Sequence, residues 1–422
     1  MAKGNAVVIF MSTSKLKIYL DDTVKDSELF QSKKEFEICK PEIFKYGIMM
    51  EEIPNHIKEA DFDYLQSKVP AYDLLHSDFI NLYTNRIENI SNDDRKKKLI
   101  SEIIGVAFGI KYTTELLKTN PNKFKKIGVP DDGKYLDYSI IEDNKEYELE
   151  TKGTVAKYYS TFKNDILQKK KDQSSKNVFL RFGTIAMINS LGDTKKSQCV
   201  IVDDPPNEDN VANDKNSFEV QLLNYGIFLS YILDSKYFNR YIKPLKQKKI
   251  KKVKIDKNKF FTKYIFSGKE FYGECFDYRL IRENEYTNLN LSEDKTSDFQ
   301  ERTRLFGKTK FFIGVDSSVI ETINRKDIES LKNYKSNWIF EDKELTTRFL
   351  DKDGILIVKS KDGDDKQLER VFPEKEVEKR LGLSIDQQRG IAHKCGAPCR
   401  SKEIKGKPCE IRTYREYCHF HR

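Results

Sequence analysis

Two strand-like runs on either side of the dipeptide Asp143-Asn144 constrain the fold of this chain more than any other feature. Residues 134–142 and residues 145–152 alternate apolar and polar side chains, as half-buried strands do. Asp and Asn tolerate the positive φ angles that a two-residue hairpin turn requires. The sequence therefore predicts a hairpin in which Glu142 pairs with Lys145.

That register gathers charged side chains on one face of the hairpin. Asp137 lies directly opposite Glu150, and alternation places Glu148, Glu150 and Lys152 on the face that Asp137 shares. Two opposed carboxylates with Cβ atoms about 4.5–5.5 Å apart repel each other unless a cation lies between them. Lys152 can neutralise them in part, and a solvated charged strand is the alternative interpretation in a chain with 34% charged residues.

A hard divalent ion held by Asp137 and Glu150 would satisfy the pair better, because magnesium binds one or two carboxylates together with waters and phosphate oxygens. Lys152 could then orient or help to deprotonate a water on the ion. These residue types in this arrangement are the apparatus for hydrolysing a phosphodiester. We therefore expect Mg²⁺, or Mn²⁺ in its place, as the catalytic cofactor.

The pattern around the hairpin predicts an α/β core with a mixed sheet flanked by helices. A helix precedes the hairpin from about residue 91 to Pro121, and a polar helix follows at about residues 161–173. Strand-like runs at residues 177–188 and 198–202 and a long helix at residues 218–241 complete this region.

At these residues the chain resembles a known superfamily. The segments that carry the resemblance are Pro130-Asp131, Leu136-Asp137-Tyr138 and Glu150-Thr151-Lys152-Gly153. They are similar to the signature of the PD-(D/E)XK nucleases, the restriction-endonuclease-like fold, over about residues 91–240. Asp131 follows Pro130 as the name of the motif suggests, but Asp137 is preferred because the hairpin places it opposite Glu150.

The resemblance implies a role for each matching residue. Asp137 and Glu150 would bind metal, and Lys152 would act on the water. Glu102, on the helix before the hairpin, would hold a second ion or a metal-bound water. Gln168, on the helix after it, matches a polar residue that some families place beside the active site.

Most of the Cys and His residues of the chain lie in its last 30 residues. Thiolate and imidazole ligands in a tetrahedron are what structural Zn²⁺ requires, and so short a segment needs metal to fold. The segment resembles small zinc modules with three Cys ligands and one His. The expected ligands are Cys409, Cys418 and His421, with Cys395 favoured as the fourth and Cys399 as the alternative.

Basic segments predict a nucleic-acid partner. Residues 243–263 contain ten Lys against one Asp, and the alternation at residues 249–255 predicts a strand with one Lys-rich face. Residues 394–422 carry eight Lys or Arg and three Glu, with aromatic residues among them. Such fields attract phosphates, although a solvated face explains many basic runs and small zinc modules also bind proteins.

Composition and length set the remaining expectations. A chain of 422 residues forms several domains, and its net charge of +9 suits a nucleic-acid-binding protein. No apolar run reaches the roughly 18 residues of a membrane span, so we expect a cytoplasmic protein without membrane contact. Walker-type, dinucleotide-binding and His-Glu-x-x-His motifs are missing, which leaves other enzyme classes without support. We expect four regions. Residues 1–90 form an N-terminal accessory region with a helix at residues 72–90, and residues 91–242 form a nuclease core. Residues 243–384 form a β-rich accessory region with a linker, and residues 385–422 form a zinc tail.

These patterns together favour a metal-dependent endonuclease that acts on nucleic acid, with double-stranded DNA as the expected substrate, in restriction or other defence against foreign DNA. A non-catalytic nucleic-acid-binding protein with a degenerate nuclease-like core is the alternative. The sequence leaves open whether the chain forms a homodimer or binds a partner subunit.

Overall fold

A computed structural model describes the protein at residues 13–24, 27–49, 80–127, 135–173, 178–203, 217–233, 235–260, 262–277, 310–343, 346–360, 393–394 and 412–413. The chain divides into two compact units. The first unit contains residues 1–227, 242–253 and 325–337, and the second contains residues 228–241, 254–324 and 338–422.

The first unit is built on a mixed sheet of seven strands. Its strands and those of a smaller sheet are, in chain order, β1 (Thr13–Leu20), β2 (Glu35–Cys39), β3 (Ile80–Tyr83), β4 (Arg86–Asn89), β5 (Lys125–Lys126), β6 (Tyr138–Glu142), β7 (Lys145–Thr154), β8 (Leu180–Met187), β9 (Asn189–Ser190) and β10 (Gln198–Asp203). The large sheet has the order β2-β1-β10-β8-β7-β6-β5, and the small one has the order β3-β4-β9. In the large sheet β1 is parallel to β10 and β7 is parallel to β8, while the other neighbours are antiparallel.

The helices in the described residues are α1 (Glu28–Gln31), α2 (Lys40–Phe44), α3 (Asp94–Leu116), α4 (Ser160–Asp172), α5 (Ser217–Ile232), α6 (Ser235–Lys246), α7 (Ser317–Arg325) and α8 (Ile328–Lys332). The start of α3 is capped by Asp93, whose side chain accepts a hydrogen bond from the Lys96 N–H. None of the helices in this part of the chain is long and apolar enough to cross a membrane.

Helices α3 and α4 cover opposite faces of the large sheet. Close packing of α3 on β7 depends on glycine, since a Cβ placed on Gly153 would lie 1.6 Å from the Ser101 carbonyl oxygen and one on Gly105 would lie 2.4 Å from the Gly153 nitrogen. On the other face, Ile166 of α4 packs over Gly183 of β8, which is the neighbour of Glu150 in the sheet. The expected mixed sheet flanked by helices is thus present.

The second unit contains an antiparallel sheet of six strands. They are β11 (Thr262–Phe266), β12 (Lys269–Asp277), β13 (Lys310–Asp316), β14 (Ile339–Asp342), β15 (Thr346–Leu350) and β16 (Ile355–Ser360), in the order β11-β12-β13-β16-β15-β14. A buried cluster on this sheet includes Phe271, Phe312 and Leu356. A further short pair in this unit joins β17 (His393–Lys394) to β18 (Arg412–Thr413).

The helix expected at residues 72–90 is wrong where the structure describes it. Residues 80–89 form the hairpin of β3 and β4. Ile80 and Leu82 alternate with less buried residues at the period of a strand, and the chain turns at Thr84 and Asn85. Residues 72–79 lie outside the described part of the chain.

The Lys-rich strand expected at residues 249–255 is also wrong. Ile250–Lys252 forms a 3₁₀ turn, and a second 3₁₀ turn follows at Lys257–Lys259. Between them the backbone of Ile255 bonds to a side chain, because Asn324 accepts from its N–H and donates to its carbonyl, both at 2.7 Å. The alternation of the sequence here reflects burial of Val253 and Ile255 without strand pairing.

Two of the boundaries expected from the sequence also differ in the structure. The helix expected at residues 218–241 is interrupted between α5 and α6, since α6 begins anew at Ser235. The N-terminal region, residues 1–90, contributes β1 and β2 to the same sheet as the hairpin.

Glycine at position 153 should be required for folding of the first unit. The substitution Gly153→Ala places a methyl group against the Ser101 carbonyl, which must move together with α3. We expect the free energy of unfolding to fall by about 3 kcal/mol, the upper end of the usual cost of overpacking. Urea unfolding followed by circular dichroism measures this change, and an unaltered midpoint would show that α3 and β7 are not in close contact.

Candidate active site

The hairpin of β6 and β7 has the register that the sequence predicts. Asp143 and Asn144 form the turn with φ angles of 50° and 60°, and Glu142 pairs with Lys145. The register runs to Tyr138 opposite Leu149. The ladder ends at that pair, and one residue before β6 the Asp137 N–H donates to the Leu149 carbonyl at 3.0 Å, which keeps Asp137 beside β7.

The carboxylate of Asp137 is held by Thr151 on β7. Its Oδ2 atom accepts hydrogen bonds from the Thr151 backbone N–H at 2.8 Å and from the Thr151 hydroxyl at 2.7 Å. Because two donors bind the same oxygen, the orientation of the carboxylate is fixed and Oδ1 takes no part in the contact with Thr151. The side chain is partly exposed.

Glu150 is the buried centre of the group. The residue is 0% exposed, and its Oε1 atom contacts Lys152 Nζ at 2.7 Å and Lys169 Nζ at 2.5 Å. Its Oε2 atom is buried without a hydrogen-bond partner among the described residues. Burial and, after it, the negative charge of Asp137 raise the pKa of the Glu150 carboxyl to about 7, although both lysines oppose the shift.

Lys152 lies two residues along β7 on the same face. Besides Glu150 it contacts Asp165 of α4, with 3.5 Å between Nζ and Oδ2. Burial lowers the pKa of Lys152, but attraction and a hydrogen bond to Glu150 outweigh this effect, so the pKa lies well above its ordinary value. In the state described here, Lys152 is therefore a cation.

Lys169 of α4 is the member of the group that sequence reasoning missed. Its Nζ atom reaches Glu150 and lies 4.0 Å from Asp137 Oδ1. The sequence does contain a signal for this residue. Ile166, Lys169 and Gln173 are spaced at intervals of three and four, which is typical of one face of a helix, and here that face lies against the sheet.

A second set of buried polar contacts supports this arrangement. Gln173 donates to Glu148 Oε2 at 2.9 Å and accepts from the Leu136 N–H at 2.8 Å. Arg181 of β8 donates to the same Glu148 oxygen at 2.7 Å. These bonds tie the end of α4 to β7 and to the residue just before Asp137.

The structure describes two of the other sequence-based candidates, Glu102 and Gln168. Glu102 lies on α3, which packs on the opposite face of the sheet, and its side chain is 57% exposed with Lys98 at 3.9 Å. Gln168 is exposed on α4, next to Lys169. Asp131 and the zinc candidates Cys395, Cys399, Cys409, Cys418 and His421 lie outside the described residues. Cys39, Cys199 and Cys275 are buried free thiols.

The donor set fits a magnesium ion. Among the described residues, Glu150 Oε2 has no hydrogen-bond partner and Asp137 Oδ1 lies 4.0 Å from Lys169 Nζ, and both oxygens belong to hard carboxylate ligands. In the described part of the chain, no group of three or more His, Cys, Asp or Glu side chains could hold a metal. Magnesium does not need such a group, because it commonly binds one or two carboxylates and completes its shell with water and phosphate oxygens.

Comparisons with known proteins do not add to this description. No family model, no curated protein and no solved structure matches the chain.

The raised pKa of Glu150 can be measured directly. Between pH 4.5, the ordinary pKa of a Glu carboxyl, and about pH 7, Glu150 holds a proton in the folded protein that it releases in the unfolded chain. The contribution of this group to stability therefore falls as pH rises through that window, and the loss is complete above about pH 7. In protein with ¹³C-labelled Glu carboxyls and no divalent ion, we expect one NMR signal to titrate near pH 7.

Substitutions assign that signal. It should vanish in Glu150→Gln and persist in Glu102→Gln, which changes an exposed carboxyl on α3. If the signal lost in Glu150→Gln titrates near its ordinary value of 4.5, Glu150 is not buried beside a second carboxylate.

Proposed function

We propose that this protein is a magnesium-dependent endonuclease of the PD-(D/E)XK type, with DNA as its substrate. The observation that carries the proposal is the convergence of Asp137, Glu150 and Lys152 at one end of a hairpin, where Glu150 Oε2 is buried without a hydrogen-bond partner among the described residues. A role in restriction or other defence against foreign DNA is an expectation from the resemblance alone.

Asp137 and Glu150 are the residues that would hold the ion. Once bound, Mg²⁺ would supply a Lewis acid for the phosphate and a water of lowered pKa. The protein's own part is to present the two carboxylates at a fixed separation. Thr151 does so for Asp137, and burial under α4 does so for Glu150.

Lys152 acts in this proposal through its charge. Because its pKa is raised, its Nζ carries three protons and serves as a hydrogen-bond donor and counter-charge for a phosphate or an attacking water. Asp165 gives the ammonium group a second partner, so Lys152 can leave Glu150 without losing every contact.

Basic surface in the described residues supports a nucleic-acid substrate. The lysines between residues 243 and 263 are largely exposed even though they do not form a strand, and Lys248, Lys249, Lys251, Lys252 and Lys254 are all on the surface. Five cations within seven residues, in a chain of net charge +9, attract phosphates through a field that salt screens.

A non-catalytic nucleic-acid-binding protein is the second candidate. The observation in its favour is that two lysines already lie on Glu150, which is also what an inert buried ion network looks like. Such networks are found in protein interiors without catalytic function. Only an activity measurement separates the two candidates.

Cleavage should depend on Lys152. With Mg²⁺ or Mn²⁺ present, we expect the parent protein to cut plasmid DNA, and we expect Lys152→Ala to lose about 10³-fold in rate with little change in DNA affinity. Lys171→Ala, which removes an exposed charge from α4, is the matched control and should cut like the parent.

The same assay on single-stranded DNA and on RNA identifies the substrate, and omission of the metal tests the cofactor. Equal cleavage by Lys152→Ala and parent, both free of contaminating nucleases, would place the active site elsewhere. No cleavage of any of the three substrates by the parent would favour the second candidate.

We propose further that the C-terminal tail binds one structural Zn²⁺ through Cys409, Cys418, His421 and either Cys395 or Cys399. The support is the sequence pattern, since these residues lie outside the described part of the chain. The tail also carries a net charge of +5 between residues 394 and 422, which suits a nucleic-acid-binding appendage.

Deletion of residues 390–422 should remove one zinc per chain and leave the first unit folded. Because five net positive charges are lost, DNA affinity should fall and its dependence on salt concentration should become shallower. Metal analysis and DNA binding at several salt concentrations measure both effects. Zinc-free full-length protein would rule out the module, and an unchanged salt dependence would point to a protein partner for the tail.

A further inference from the structure

The two lysines at Glu150 differ in what else they contact. Lys152 has Asp165 as an alternative partner at 3.5 Å. Lys169 instead lies between the two candidate ligands, 2.5 Å from Glu150 Oε1 and 4.0 Å from Asp137 Oδ1. Lys169 is thus the cation that connects the two carboxylates.

The position of Lys169 is fixed from both sides along α4. Three residues before it, Ile166 packs over Gly183 in the sheet. Four residues after it, Gln173 bonds to Glu148 and to the Leu136 backbone. The side chain of Lys169 is only 16% exposed, so its ammonium group is directed at the carboxylates by the packing of the helix.

An ammonium group in this position must compete with a divalent ion. Asp137 and Glu150 would hold a magnesium or manganese ion directly through their carboxylate oxygens. Lys169 Nζ would then be within a few ångströms of a doubly charged ion, and the two cations repel strongly at that distance. The ammonium group and the ion would therefore compete for the negative charge of the same carboxylate pair.

We propose that Lys169 is a positioning residue that neutralises the Asp137–Glu150 pair before the divalent ion arrives and is displaced when the ion binds. It therefore sets the affinity of the site for the ion. This inference rests on the proposed function, because it takes the carboxylate pair to be the metal site.

Binding of Mn²⁺ to the full-length protein tests the inference without relying on activity. Electron paramagnetic resonance measures free Mn²⁺ during a titration, and Glu150→Gln identifies the part of the binding that belongs to this site. Removing the competitor in Lys169→Met should tighten Mn²⁺ binding about tenfold. Lys171→Met, which removes an exposed charge from the same helix, should change the affinity less than twofold.

Thermal unfolding separates this role from a merely structural one. Without divalent ion, Lys169→Met should melt at a lower temperature than the parent, because two carboxylates lose a counter-charge. At saturating Mn²⁺ the difference should largely disappear, since the ion supplies the charge. A structural lysine predicts the same difference with and without Mn²⁺. Lys169→Gln keeps a polar side chain and serves as the second variant if Lys169→Met does not fold.

The outcomes distinguish this inference from the proposed function. Unchanged or weaker Mn²⁺ binding by a folded Lys169 variant, with a parent that binds Mn²⁺ and cuts DNA, overturns the inference alone. A parent that binds no Mn²⁺ at the Glu150-dependent site overturns both. Tighter binding together with a melting difference that closes at saturating Mn²⁺ supports it.

Discussion

The register of the β6–β7 hairpin decides which side chains meet at the candidate site. Asp143 and Asn144 set that register through a turn with two positive φ angles. A slip of one residue would turn Glu150 and Lys152 to the other face of β7, where α3 lies so close that Gly153 has no room for a methyl group. The same constraint therefore fixes both the packing of α3 and the composition of the charged face under α4.

Burial of Glu150 gives this face its electrostatic character. A contrast exists within the first unit, where Lys111 lies between Glu42 and Glu115 in another buried network. There burial raises the pKa of Glu115, but the charges of Lys111 and Lys33 outweigh it and the pKa falls below its ordinary value. At Glu150, burial and the nearby charge of Asp137 outweigh the two lysines, so the pKa lies above its ordinary value. Two acids held together at a cost in stability are typical of a functional site, whereas a balanced network is typical of structure.

Much of the site could be predicted from local sequence. Turn residues and strand alternation are short-range signals, and they are enough to predict the ladder from Glu142–Lys145 to Tyr138–Leu149 and the contact of Lys152 with Glu150. Lys169 was missed because its contact depends on how α4 lies over the sheet, which Ile166 and Gly183 decide across the fold. The role of Glu102 is implied by the resemblance alone, and α3, the helix that carries it, packs on the other face of the sheet.

The errors in the fold have a similar origin. Alternation at residues 249–255 was interpreted as strand pairing, but the backbone of Ile255 bonds to Asn324, a residue far along the chain. Residues 80–89 form a local hairpin, and β4 also pairs with the distant strand β9 through Glu88 and Asn189. Long-range pairing of this kind leaves no signal in a short window of sequence.

Crystals soaked in Mn²⁺ and measured at a wavelength where manganese scatters anomalously would test the central claim most directly. We expect an anomalous peak between Asp137 and Glu150, within about 2.6 Å of an oxygen of each carboxylate. We also expect Lys169 Nζ to have moved away from Glu150 Oε1. A fully soaked crystal without a peak at this place, with Lys152 and Lys169 still on Glu150, would contradict the central claim.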